Sequence, residues 1–311
     1  MSAAGPQHPL RLAVCACTRS RPVGLARLLD ALGGLEPVPA ADVFVTIVDN
    51  DPAGSGRDVV EARRAGFPLP LRYAHEPAPG IPAARNAAIA AAGDVDALVF
   101  VDDDEWPEPH WLRRLVEVWR ATGASVVTGT VEPWFAAPPP AWVLEGGFFE
   151  RPRYPTGTEL EYARTSNVLV DGRLLTQEGL RFEHTGSQGG EDTHFFRAAR
   201  LRGHRIVWAD DAVVHEEVPA SRISVRWLLA RHYRYGLTRS ASLRMLGGSP
   251  LRYARRAANG ALTAVSGLLA LPLARTRARR VQRGQRVAVG VGLVAGLFGA
   301  GYDDYRVVHG G

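Results

Sequence analysis

The chain has 311 residues, 46% of them hydrophobic and 22% charged, which supplies apolar content for a substantial core in one large domain or two smaller ones and excludes a disordered polypeptide. Its formal charge of +5 is unevenly placed: residues 251–311 hold ten Arg and two Asp, whereas the first 250 hold 27 basic and 30 acidic side chains. The basic character therefore belongs to the tail, which argues against a nucleic-acid-binding body and for a tail that meets an anionic surface such as lipid headgroups.

Every basic side chain is Arg, since the sequence contains no Lys. Cys15 and Cys17 alternate within one apolar strand, so they point to the same face and cannot easily pair with each other there. With no other cysteine there is no disulfide framework, which fits a reducing compartment. The N-terminal stretch, with Pro6 and Pro9 and no long apolar run, does not resemble a signal peptide, and the catalytic body is expected in the cytoplasm.

In chain order, strand signals at Leu10 to Ala16, Val43 to Val48, Leu71 to Ala74 and Ala97 to Val101 alternate with helix signals at Gly24 to Leu32, Gly56 to Ala65 and Ala83 to Ala92. Glu108 to Thr122 gives a further helix and residues 123–131 another strand. This alternation is a βαβ pattern and predicts an α/β fold with a mostly parallel sheet. Pro133 to Pro155 reads as an irregular crossing rich in Pro, Gly and aromatics, of a length that is often functional. Strands at Ala163 to Val170 and Ile206 to Trp208 then surround a helix at Asp192 to Arg202, and Ile223 to Tyr235 is helical.

In the tail, Ala257 to Ala274 and Val287 to Tyr302 are free of charge over 18 and 16 residues, short of the roughly 20 that a spanning helix needs. Gly260, Gly267 and Pro272 weaken the first segment; Gly290, Gly292, Gly296 and Gly299 weaken the second. Arg275, Arg277, Arg279, Arg280, Arg283 and Arg286 lie between them, as in a cytoplasmic basic loop. A shallow or re-entrant hairpin in a membrane and a helical subdomain docked on the sheet both fit this pattern.

The most informative run is Val99-Phe100-Val101-Asp102-Asp103-Asp104-Glu105, in which acids follow directly on a strand that reads as buried. In an open α/β sheet ligands sit beyond the carboxyl ends of the strands, and clustered carboxylates there suit a hard divalent cation. The alternative is a helix start, with Glu105 favourable beside the dipole and Pro107 near the first turn. Other polar clusters stand mostly at strand ends. Thr18-Arg19-Ser20-Arg21 offers hydroxyl and guanidinium groups to ribose or phosphates, and Asp49-Asn50-Asp51 offers acceptors to the imide N–H of a pyrimidine, although it is also an ordinary turn sequence. Gly80 to Asn86 opens a helix at which free N–H groups and Arg85 face an anion. Gly189-Gly190-Glu191-Asp192 enters a later helix, where Asp192 is either a cap or a general base. Val213-Val214-His215 ends a late strand with an imidazole that can complete a metal shell.

The order of these motifs resembles the family 2 glycosyltransferases with the GT-A fold, over residues 10 to about 240. The resemblance implies three regions: an N-terminal tail at 1–9, a GT-A domain at 10–240, and an Arg-rich helical region at 241–311. It implies that Asp49 contacts the nucleotide base, with Thr18, Arg21, Arg85, Asn86, Asp102 and Asp103 lining the donor pocket. Asp102 and Asp104 match the ends of the Asp-x-Asp motif that positions Mg²⁺ or Mn²⁺ on the donor diphosphate, and His215 matches a position that ligates the metal in some members. Asp192 matches the catalytic base, with Glu191 beside it. Where processive synthases carry Gln-x-x-Arg-Trp, this chain has Arg231-His232-Tyr233-Arg234-Tyr235-Gly236, which resembles the Arg-Tyr-Gly version of non-processive transferases. Arg231 or Arg234 would steady the diphosphate or the acceptor.

The implied activity is inverting, metal-dependent transfer of one sugar from a nucleotide-diphosphate donor to a saccharide or lipid-linked acceptor. Its implied setting is the inner face of the cell membrane, in cell-surface polysaccharide or glycolipid synthesis, with the tail touching the membrane. The competing readings are a nucleotidyltransferase, for which the Lys-bearing phosphate loop is missing, and a non-catalytic scaffold with a nucleotide-sugar pocket.

Overall fold

A computed structural model describes residues 8–183, 190–245 and 249–299. Its first half is built as the alternation predicts: β1 (Leu10–Thr18), α1 (Pro22–Gly33), β2 (Ala41–Asp49), α2 (Arg57–Arg64), β3 (Leu71–His75), α3 (Ile81–Ala92) and β4 (Ala97–Phe100). These strands pair in parallel in the order β3-β2-β1-β4. β1 is apolar at almost every position because both of its faces are covered, as a central parallel strand requires. Leu12, Val14 and Ala16 share one core with Leu25, Leu28, Leu29 and Leu32 of α1. Ala13 and Cys15 share the opposite core with Ala84, Ala88 and Ile89 of α3.

The second half extends this sheet. It comprises β5 (Glu105–Pro107), α4 (Trp111–Thr122), β6 (Val126–Trp134), α5 (Ala141–Gly146), β7 (Glu159–Leu160), β8 (Val168–Asp171), α6 (Gly172–Thr176), α7 (Glu191–Leu201) and β9 (Ile206–Glu217). The sheet order is β3-β2-β1-β4-β8-β6-β9-β5, with β7 pairing beside β9. β8 runs antiparallel to both β4 and β6, and the short β5 and β7 run antiparallel to β9, so six of the nine strands point one way.

Three expectations change here. The acidic run does not begin a helix: Glu105–Pro107 forms the edge strand β5, with Trp106 opposite His215, a place where a proline's missing N–H costs no ladder bond. α4 therefore starts at Trp111, three residues later than predicted. The strand expected at Ala163 to Val170 shrinks to Val168–Asp171, because Asn167 takes a left-handed backbone, φ 57°, and frees Thr165 and Ser166 to turn toward the site. Asn167 is fully buried, donates Nδ2 to Thr130 O at 2.8 Å and Ala212 O at 2.7 Å, and accepts from Trp111 Nε1 at 2.7 Å. β9 is far longer than expected and bulges opposite Gly129 and Thr130.

The tail forms α8 (Val225–Met245), α9 (Pro250–Ala270) and α10 (Arg277–Leu297). Among the described residues no helix is long and apolar enough to cross a membrane. The glycines expected to weaken these segments are instead where the helices touch. A Cβ on Gly236 would lie 2.4 Å from the Val289 carbonyl oxygen, and one on Gly292 would lie 2.2 Å from that of Tyr233. Likewise, a Cβ on Gly290 would meet the Ala264 nitrogen at 2.4 Å. α8 runs unbroken through the boundary placed at residues 240 and 241, and Ser240 Oγ donates to Leu293 O at 2.6 Å. Trp142 and Val143 of α5 pack with Leu228 of α8 and Val281 of α10, which fastens the tail to the sheet domain. Residues 300–302 of the second uncharged segment lie outside the described residues, as does most of the N-terminal tail.

Candidate active site

The strand order reverses direction between β1 and β4, and the crevice beyond their carboxyl ends is where an open sheet binds ligands. Thr18, the last residue of β1, donates Oγ1 to Asp103 Oδ2 at 2.8 Å. Arg21 Nη1 donates to Asp103 Oδ1 at 2.9 Å and to Asp104 Oδ2 at 3.1 Å. The first motif and the acidic turn thus meet across 85 residues of sequence. Burial, reinforced by Asp104, pushes the Asp103 carboxyl up to about 6 against the pull of Arg21 and Thr18.

Asp49 ends β2 with no exposed surface. Its oxygens accept from Gly56 N at 2.7 Å, Tyr73 Oη at 3.0 Å and Asp51 N at 3.0 Å. It therefore organises the loop at the end of β2. Asn50 latches the next loop, donating Nδ2 to Glu76 O and Ala78 O, both at 2.7 Å.

Arg85, on the second turn of α3, reaches across to α7. Its Nη1 donates to Glu191 Oε1 at 3.1 Å and pairs with Asp192 Oδ1, while Phe182 lies under the guanidinium at 5.4 Å. Asp192 also accepts from Thr165 Oγ1 at 3.0 Å. Burial drives the Asp102 carboxyl up to about 7; Arg85 opposes the rise, and Asp104, Asp192 and Asp103 add to it. Asp102 therefore feels both Asp104 and Asp192, and Arg85 feels both Asp102 and Asp192. Glu105 is buried behind them and accepts from Asp102 N at 3.1 Å. Burial, with Asp102 and Glu216 adding charge of the same sign, holds its carboxyl well above the usual range despite Arg151.

The remaining expected residues are held as follows. His215 does not join Asp102 and Asp104: its ring lies beside Trp106 and faces Glu108 at 3.5 Å and Glu132 at 3.9 Å. The alternation of β9 explains this, since the neighbouring Glu216 takes the other face of the strand. Asn86 clamps the backbone of Phe182, donating to its oxygen at 2.8 Å and accepting from its nitrogen at 2.9 Å, so it holds the wall behind Arg85. Arg231 donates Nε to Tyr235 Oη at 2.6 Å and lies over Trp227 at 5.2 Å. Arg234 is half-buried one turn further along α8. Gly189, ahead of α7, lies outside the described residues.

The residues that sequence reasoning missed are Thr165, Arg151, Glu216 and Arg222. Arg151 donates to Ser166 Oγ at 3.1 Å and pairs with Glu216. Arg222 spans Glu216 at 3.5 Å and Asp104 at 3.8 Å, and its buried Nε has no partner among the described residues. The only sequence signals were the polar triplet Thr165-Ser166-Asn167 inside an apolar run and the Glu-Glu pair after His215.

Among the described residues no three His, Cys, Asp or Glu side chains form a metal cage. A hard cation that keeps places for diphosphate oxygens and water needs only one or two carboxylates. Asp102 and Asp104 would hold Mg²⁺ or Mn²⁺ in that substrate-completed form, and the cation's charge would offset the burial that raises Asp102.

A carboxylate crevice at the switch point of an α/β sheet fits a transferase with the GT-A fold, and comparison with known proteins places the chain in that class. The family model for glycosyl transferase family 2 matches residues 13–181. The succinoglycan biosynthesis protein ExoM of Rhizobium meliloti (strain 1021) is 34% identical over 303 residues, covering 94% of this chain and 95% of that protein. The mannosyltransferase PcManGT from Pyrobaculum calidifontis, solved with GDP-Man and Mn²⁺, superposes with a TM-score of 0.62 at 18% identity, over 95% of this chain and 89% of that one. TarS 1-349 of S. aureus, solved with UDP, gives a TM-score of 0.55 at 15% identity, over 97% and 95%. The chain belongs to glycosyl transferase family 2 and is a glycosyltransferase, which sets aside the nucleotidyltransferase and scaffold readings.

Proposed function

We propose that this glycosyltransferase moves one sugar from a nucleoside-diphosphate donor to an acceptor hydroxyl, with inversion, in the assembly of a cell-surface polysaccharide at the inner face of the cell membrane. The observation that carries this reading is the gathering of acids at the switch point, where Arg21 bridges Asp103 and Asp104 at 2.9 and 3.1 Å and Arg85 pairs with Glu191 and Asp192. A relative in succinoglycan synthesis at 34% identity supports the polysaccharide setting, and a solved neighbour with GDP-Man and Mn²⁺ supports the donor class.

In the proposed reaction the acceptor oxygen forms a bond to the anomeric carbon as the bond from that carbon to the donor phosphate oxygen breaks. The electron pair leaves on the nucleoside diphosphate, and the hydroxyl proton passes to Asp192. Thr165 and Arg85 hold the Asp192 carboxylate in orientation. Asp102 and Asp104 would hold a divalent cation, which would supply positive charge toward the leaving diphosphate. Arg222, whose Nη2 lies 3.8 Å from Asp104, is a better placed cation for that diphosphate than Arg231, whose Nε is engaged by Tyr235.

The tail contributes a surface. α9 turns Leu251, Leu262, Val265, Leu268 and Leu269 outward, with Arg252, Arg255 and Arg256 at one end and Arg275 and Arg277 past the other. We place this face flat on anionic headgroups, lying on the bilayer without spanning it.

Incubating the full chain with membranes, Mn²⁺ or Mg²⁺ and a panel of nucleotide sugars, and weighing the products by mass spectrometry, tests the function. A product one glycosyl unit heavier than an acceptor is expected. Turnover of no donor in the panel would reject the reading.

A further inference from the structure

Glu216, near the end of β9, meets two arginines that lead to opposite sides of the crevice. We infer that it is a positioning residue for the transfer: one carboxylate oxygen holds Arg151 toward the base, and the other holds Arg222 toward the leaving group. The inference rests on the glycosyl-transfer reading and adds to it a residue that acts through its two arginines.

Strand pairing brings like charges together here. Glu216 stands opposite Glu105 across the β5–β9 ladder, and like charges directly opposite in an antiparallel pair repel. Glu105 is 1% exposed and already accepts from Asp102 N. Arg151 supplies the cation that this arrangement requires, pairing with Glu216 Oε2. Burial works against the charge of Arg151, but Glu216, Glu105 and Asp102 together more than offset it, so its pKa lies above the ordinary value. Alternation along β9 sends Glu217 to the other face, where it pairs with Arg27. Of these two side chains, Glu216 is the one that meets the arginines of the crevice.

The two contacts run in opposite directions. Toward the base, Arg151 Nη1 donates to Ser166 Oγ at 3.1 Å, and the adjoining Thr165 directs Oγ1 at both Asp192 oxygens, at 3.0 and 3.1 Å. Toward the acids, Glu216 Oε1 lies 3.5 Å from Arg222 Nη1, and Arg222 Nη2 lies 3.8 Å from Asp104 Oδ2. Both distances exceed a normal hydrogen bond. The guanidinium is thus drawn by two carboxylates and closed on by neither, the state a cation keeps if it is to meet a diphosphate. The backbone adds a fixed mount, because Glu217 N donates to Asp104 O at 3.0 Å and ties β9 to the acidic turn. One side chain therefore sets the spacing of the two arginines. With it goes the spacing between the base and the point where leaving-group charge develops, on which an oriented displacement depends.

The test compares Glu216→Gln, which keeps the shape and removes the charge, with Glu216→Asp, which keeps the charge and draws it back by one methylene. Both are made in the full chain and assayed at a temperature where circular dichroism shows every variant folded. With the nucleotide sugar that the wild type turns over, Glu216→Gln should lower kcat about tenfold, and calorimetry with Mn²⁺ and UDP or GDP should show affinity reduced by a similar factor. Glu216→Asp should recover part of both losses. Glu217→Gln, on the opposite face, should match the wild type. Because Glu216 acts on the diphosphate through Arg222, adding Glu216→Gln to Arg222→Gln should cost no further nucleotide affinity. A Glu216→Gln protein that melts lower yet keeps wild-type kcat and nucleotide affinity would make Glu216 a structural ion-pair partner only and overturn the inference. A full further loss in the double variant would overturn it too, since Glu216 would then act independently of Arg222. If the wild type transfers no sugar, the glycosyl-transfer reading fails by itself; non-additive loss of UDP or GDP affinity would still uphold the link from Glu216 to Arg222, and additive loss would remove it.

Discussion

Arg85 at the start of α3 and Asp192 at the start of α7 form an ion pair across 107 residues of sequence, and Glu191 is drawn into the same guanidinium. This pair joins the nucleotide-binding half of the sheet to the half that carries the base. Arg85→Met would leave Glu191 and Asp192 without their shared cation. Because all three groups are largely buried, the expected loss is about 3–5 kcal/mol, read from urea unfolding. An unchanged midpoint would show that the pair contributes nothing to the fold.

Asp192→Asn keeps the size and the Thr165 contact but cannot take a proton. Transfer should fall by roughly 10²- to 10⁴-fold, while calorimetry with the nucleoside diphosphate and Mn²⁺ should give the wild-type affinity. Wild-type turnover by this variant would remove Asp192 from the chemistry.

The free protein should lose stability as pH rises. Asp102 and Asp103 have carboxyls raised to about 7 and about 6 from 3.8, so between about pH 4 and pH 7 the folded state binds more protons than the unfolded one, and stability falls through that window. The melting temperature measured without metal should drop from pH 5 to pH 8. Mn²⁺ with a nucleoside diphosphate should restore more of it at pH 8 than at pH 5. A melting temperature that climbs across this range would contradict the crowding of these acids.

Cys15 and Cys17 should be inert thiols. Burial raises both well above the usual range; Cys17 stands at about 12, with Asp102 and Asp103 adding to the rise and Arg85 opposing it. At pH 8 the thiolate fraction of Cys17 is about one in ten thousand. Disulfide-exchange reagents should therefore label the native protein far more slowly than the urea-unfolded chain, and rapid labelling of two thiols in the native state would refute this.

Replacing Leu262 and Leu269 together by Glu should cut binding to phosphatidylglycerol vesicles by at least about tenfold, since each leucine gives up roughly 1.5–3 kcal/mol of apolar burial. Added salt should weaken the wild type as well. Vesicle binding that survives both changes would show that another face makes the contact.

The first half of the fold was legible because parallel strands covered on both faces leave near-continuous apolar runs, and each ends in a polar cluster. The acids at Asp102 to Asp104 stood out for that reason, whereas the Glu191-Asp192 pair stood out as acids at the head of a helix. Thr165, Arg151, Glu216 and Arg222 could not, because their positions depend on the left-handed turn at Asn167, the bulge in β9 and the pairing of β5, all of which arise from long-range contacts. Which face of β9 His215 takes, toward Glu108 and Glu132, depends on the bulge and pairing of that strand, which the sequence pattern does not carry. The tail glycines were read as helix breakers because local propensity takes no account of a neighbouring helix that needs the space.

The contacts of Gly236 with Val289, Gly292 with Tyr233 and Gly290 with Ala264 leave no slack between α8, α9 and α10. A bundle locked that tightly acts as a gauge block. In the proposed seating of the α9 leucines on a bilayer, such a bundle would carry the sheet domain at one fixed height above the lipid.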